Sequence, residues 1–167
     1  MSKIKSWVKN HKKITVAVLT ILIAFLLLNC IWAVYHHIVF GSYERVTKND
    51  YYAGANISIK DGRVYSVSDM TYLSFGGNLS INDQENKCFL LVWLTLSDEP
   101  KIGFTVGQYN FYIDKDGNLA REEDDIAEKA YEENRDLALD LLNDYNEWTK
   151  AAENNDRTFF NGKITAD

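Results

Sequence analysis

The chain has 167 residues, the size of one ordinary domain with an appendage, and its length excludes two full domains. Hydrophobic residues are 46% and charged residues 25%, which excludes a disordered or collagenous chain. The formal charge of −6 hides a division: residues 1–13 carry five lysines and no acid, while 44–167 hold 13 basic residues against all 24 acids, a net of −11. An acidic body excludes nucleic acid as a partner, because binding phosphates relies on Lys and Arg.

In chain order, residues 1–13 read as a basic cytoplasmic tail and 14–40 as a transmembrane helix. Ile14 to about Ala33 is apolar apart from isolated polar residues, and about 20 such residues cross a bilayer core of roughly 30 Å. Trp32, Tyr35, His36 and His37 suit the far interface, where aromatic rings keep one end dry and the other wet. The lysines hold the amino end inside, so the body is expected outside, on a single-pass protein of the cell membrane. A cleaved signal peptide is the competing reading, but the apolar run is too long and no A-x-A site follows it. Cys30 invites lipidation, yet Asn29 precedes it where a small residue is needed. Cys88 is then the only cysteine in the body, which excludes an internal disulfide there.

The body, 41–167, reads as one extracellular α+β domain in which an antiparallel sheet is packed with one long or two short C-terminal helices. Ala55 to Lys60 and Arg63 to Ser68 flank Asp61-Gly62, a hairpin signal. Met70 to Phe75 and Asn78 to Asn82 extend the meander. Cys88 to Leu96, CFLLVWLTL, is continuously apolar and is expected as a central strand covered on both faces, with Phe89 and Trp93 in the core. Ile102 to Val106 and Gln108 to Asp114 follow, the latter with Tyr109, Phe111 and Ile113 on one face and Asn110, Tyr112 and Asp114 on a solvated one. Asp116-Gly117 turns the chain, and Asn118 to Ala120 adds a short pairing. From Glu122 the apolar residues recur at helical steps up to Trp148, and acids crowd the amino end, where the helix dipole favours them. Thr158 to Phe160 and Lys163 to Thr165 read as a small hairpin or a frayed tail.

Catalytic chemistry is sparse. The body has no histidine for a triad or zinc site, and Cys88 lies in an apolar strand, a poor place for a thiolate. No carboxylate pair stands out among the acids, and neither phosphate-loop pattern occurs, so the chain is read as a non-enzyme without metal, cofactor or small-molecule substrate. Asp114 to Asp125 partly matches a calcium loop, but Leu119 takes the obligatory glycine position, which favours a hairpin turn. The Asn56 and Asn78 sequons read as chance. The partner-binding residues are expected on a sheet face of Asn110, Tyr112, Asp114 and Asp116, with Tyr65 as an aromatic anchor and Asp98 and Glu99 as an acidic rim suited to a basic protein.

A basic tail, one span and an outer segment VWLTLSDEPKIGFTVGQYNFYIDKDGNL before an acidic amphipathic helix resemble the TipC family of immunity proteins. The resemblance covers roughly residues 88–150 and the anchor. It implies a membrane-anchored, outward-facing protein that blocks a toxin exported by type VII secretion, with Asn110, Tyr112 and Asp114 on the face that meets it. The alternative is a structural or accessory subunit of a bacterial membrane complex, with Asn29 bonding a neighbouring span. A carboxylate-dependent wall hydrolase is the least favoured reading.

Overall fold

The computed structural model describes residues 12–47, 50–52, 55–68, 76–94, 100–121 and 123–160. Helix α1, Lys12–Val39, covers the expected span; its central residues bury nothing, and it is long and apolar enough to cross a membrane. At about 1.5 Å per residue its 28 residues extend about 42 Å, longer than the hydrocarbon layer alone requires. Two of its polar side chains bond back within the helix: Thr20 Oγ1 donates to the Val16 carbonyl and Asn29 Nδ2 to the Phe25 carbonyl.

The last turns of α1 belong to the domain. Tyr35 is buried, Trp32 and Val39 pack against the core, and Phe40, wholly buried, joins α1 to a short helix α2, Gly41–Val46. A sheet follows: β1 (Asp50–Tyr52), β2 (Ala55–Lys60), β3 (Arg63–Ser68), β4 (Asn78–Asp83), β5 (Cys88–Trp93), β6 (Lys101–Val106) and β7 (Tyr109–Ile113). The strands lie in sequence order and every neighbouring pair is antiparallel, an unbroken meander. The expected hairpin forms at Asp61-Gly62, both at positive φ. β1 has no counterpart among the sequence expectations.

The carboxyl half supplies one continuous helix, α3, Asp125–Glu153, rather than two. Asp124 caps it by accepting from the Ile126 and Ala127 amides, at 3.1 and 2.8 Å. Its apolar stripe of Tyr131, Ala138, Leu141, Leu142, Tyr145 and Trp148 lies against one face of the sheet, giving the expected α+β arrangement. That core face carries Tyr65, Val67, Leu79, Ile81, Leu90, Val92, Ile102, Phe104, Phe111 and Ile113. Phe159 and Phe160 close its end on Tyr65 and Trp148, so these two residues belong to the core rather than to a hairpin or a frayed tail, while Thr158 stays exposed. The expected elements at 70–75 and 163–165 lie outside the described residues.

Candidate partner-binding face

Among the described residues one long helix packs on one face of the seven-stranded sheet and no described element covers the other, the open face. The register makes this explicit: Tyr112 pairs with Gly103, Gly103 with Leu91, Leu91 with Ser80, Ser80 with Ser66 and Ser66 with Ile57. A neighbouring row runs Asn110, Thr105, Phe89, Asn82, Val64 and Ile59. Side chains alternate along a strand, so all of these stand on the side away from α3.

Strand β5 is therefore interior but not covered on both faces. Cys88, Leu90 and Val92 are buried, while Phe89 is 37% exposed and Leu91 and Trp93 are half-buried on the open side. A nine-residue apolar run has no period to read, and two covered faces would have required a second packed layer that a single helix does not provide. Phe89 and Trp93 move from the expected core to the candidate site. In β2 the register makes the same choice against simple polarity: Ser58 faces the core opposite Tyr65, and Ile59 is 56% exposed on the open face.

Trp93 organises this face. Its ring lies across Gly103, where an added Cβ would come within 3.0 Å of the ring edge, and it stacks on Tyr112 with centroids 6.1 Å apart. The Arg121 guanidinium covers Tyr112 at 4.7 Å. Thr105 and Asn110 hydrogen-bond across β6 and β7 at 2.7 Å, as do Ser66 and Ser80 across β3 and β4. The result is an aromatic and apolar surface studded with small hydroxyls and amides, a composition suited to protein contact.

The expected site residues divide. Asn110 and Tyr112 stand exposed on the open face as expected, and Asp114 and Asp116 lie at its end. Asp114 is occupied as a turn residue: its Oδ1 accepts from the Asp116 and Asn118 amides at 2.9 and 2.8 Å, and the Asn118 bonds first among these hold its carboxyl below the usual range. Asp114 to Asn118 forms the expected turn, continued by the Ile113 to Leu119 bridge. Asp98 and Glu99 lie outside the described residues.

Tyr65 is corrected outright. It is 1% exposed, packs edge-on against Trp148 at 5.3 Å and donates to Asp144 at 2.8 Å, so it is a core residue with no surface to offer a partner. The expected electrostatics also shift. No strand from β2 to β7 places an acid on the open face; beside it stand Lys101, paired with Trp93, Arg121 over Tyr112 with its guanidinium ion-paired to Glu123 at 2.8 Å, and Asp114 and Asp116 at the end. The acids gather on α3, whose 29 residues include nine acids and three basic residues.

Behind the core face lies a charged cluster that the sequence pattern does not announce. Arg63 donates to Asp83 at 3.1 Å, to Asp144 at 2.7 Å and to Asp140, tying β3 and β4 to α3. Burial raises the Asp83 carboxyl, but the Asn86 backbone and side-chain bonds together with Arg63 outweigh it and hold the group below the usual range. Burial, reinforced by Asp144, raises the Tyr65 phenol. Burial and the nearby Asp83 charge raise the Cys88 thiol, which suits an inert core cysteine. Every carboxylate here is engaged by a cation, a tyrosine or an amide, the arrangement of a clamp.

Among the described residues no group of three or more His, Cys, Asp or Glu side chains is placed to hold a metal ion. Comparison with protein-family models, with curated proteins and with solved structures finds no match.

Proposed function

We propose that the chain is a membrane-anchored, outward-facing immunity protein that binds and occludes a secreted bacterial toxin through the open face of its sheet. The observation that carries the binding role is that face itself: Ile59, Phe89, Leu91, Trp93 and Tyr112 are exposed or partly exposed on the sheet face that no described element covers. The toxin as partner is the implication of the TipC resemblance, and the orientation that of the amino-terminal lysines. The acids of α3 stand apart from the contact face, and their role in this reading is to steer a basic partner from a distance. The alternative, an accessory subunit of a membrane complex, would use the Asn29 amide, one N–H of which donates to the Phe25 carbonyl of its own helix.

The test uses the full chain in its membrane as bait for the secreted proteins of the source cells. The expected result is one stoichiometric secreted protein, toxic to cells that lack this chain, and captured by wild type but not by a Trp93→Ala/Tyr112→Ser variant. Capture of no secreted protein, or full protection by the variant, overturns the reading.

A further inference from the structure

At the junction of α1 and α2 an open cleft of about 280 Å³ is lined by His37, Gly41, Glu44, Arg45 and Arg157. Its floor is Gly41. A Cβ placed there would sit 3.3 Å from His37 Nδ1 and 3.4 Å from an Arg45 Nη nitrogen, so two nitrogen-bearing side chains converge beside the Gly41 backbone. Arg157 arrives from the far end of the chain, just beyond α3. Glu44 lines the cleft too, but its carboxylate is paired with His36 at 3.3 Å. His37, Arg45 and Arg157 are exposed, and none makes an ion pair with a described residue. Two arginines and a histidine thus face one cavity in a body whose net charge is −11.

The position of the cleft names its ligand. Lys12 and Lys13 mark one end of the apolar stretch, and the 20 residues after Lys13 end at Ala33. Twenty residues span roughly the 30 Å hydrocarbon layer, which puts His37 about 6 Å beyond it, within the headgroup layer. We propose that this cleft binds the phosphate of an anionic membrane lipid headgroup, with Arg45 and Arg157 as its cationic contacts and His37 as a further nitrogen. Guanidinium groups match phosphate oxygens in geometry as well as charge, and basic pockets at this depth are suited to headgroups. The inference rests on α1 as a membrane anchor and is independent of the toxin reading.

The full chain is placed in nanodiscs of phosphatidylcholine with phosphatidylglycerol, and lipid retained on release is identified by native mass spectrometry. Wild type is expected to keep phosphatidylglycerol over phosphatidylcholine by about tenfold. Arg45→Gln/Arg157→Gln is expected to lose that preference, and each single substitution to weaken it. Lys101→Gln/Arg121→Gln, basic residues elsewhere, is expected to keep it. Thermal melting shows that each variant is folded. Equal retention of the two lipids by wild type, or unchanged preference in the cleft variants, overturns the proposal. Competition by soluble glycerol phosphate as effective as that of the lipid overturns the headgroup assignment in favour of a free-anion site. Failure to enter the nanodisc overturns the anchor, and the headgroup proposal with it.

Discussion

Gly103 shows how one missing side chain shapes the open face. Because it has no Cβ, the Trp93 ring lies flat over β6 and reaches Tyr112. Gly103→Ala is expected to lift that ring and shift the Trp93 indole resonance by NMR, with a stability cost of about 1 kcal/mol and weaker partner binding. Ser58 is the converse case, a hydroxyl buried at 1% exposure with no hydrogen-bond partner. Ser58→Ala should leave the denaturant midpoint unchanged or raise it, since it removes an unsatisfied polar group. Asp83 links a residue to pH. Its folded carboxyl lies below the ordinary value, so its contribution is fully present above about pH 3.9 and is lost as pH falls through the lowered folded value. Asp83→Asn is expected to flatten the fall in stability below about pH 4, measured by urea unfolding at each pH.

Among elements, the apolar contact between sheet and helix is reinforced by one cation. Arg63 stands at the start of β3 and holds carboxylates from β4 and from two successive turns of α3. Arg63→Leu would leave those carboxylates together without their counter-ion. The expected cost is about 2 to 4 kcal/mol, below the loss for a fully buried pair because Asp140 is half exposed to water. Asp140→Asn/Asp144→Asn in the same chain should recover much of it, and thermal melts of the four combinations give the coupling directly. Lys60 reinforces the contact more weakly, through Glu147 at 3.5 Å and the Phe159 ring at 4.3 Å. The helix itself is legible in the sequence, since its apolar residues recur at three- and four-residue steps. Which acids of its outer face turn inward to Arg63 is not, because Asp140 and Asp144 read as part of an ordinary solvated stripe.

At the scale of the whole molecule, the end of the apolar helix α1 and the domain form one packed unit. Phe40 is buried completely, Tyr43 packs edge-on against Trp148 at 5.5 Å, and Trp148 Nε1 donates to Thr47 at 3.1 Å. A soluble fragment beginning at residue 42 would discard Phe40 and Tyr35 from the core. It is expected to be less stable than one beginning at residue 32 by about 3 to 5 kcal/mol, measured by denaturant unfolding of the two fragments. Local pattern along the chain is enough for the apolar span, the hairpin at Asp61-Gly62, the alternation of β7, the acidic amphipathic helix and the division of charge between tail and body. Those features depend on residues a few positions apart, where the periods of strand and helix are written. Other features came only from the packing of distant segments. The polarity of β2 held no sign that Ser58 would be buried and Ile59 exposed, and the unbroken apolar run of β5 could not say which of its residues lack a covering layer. Tyr65 has the look of a surface anchor until α3 and the Phe159-Phe160 segment close over it. Arg157 meets His37 and Arg45 only because α3 returns the chain to the end of the anchor. In each case the outcome depends on which distant surface packs against a residue, and that is a property of the assembled layers.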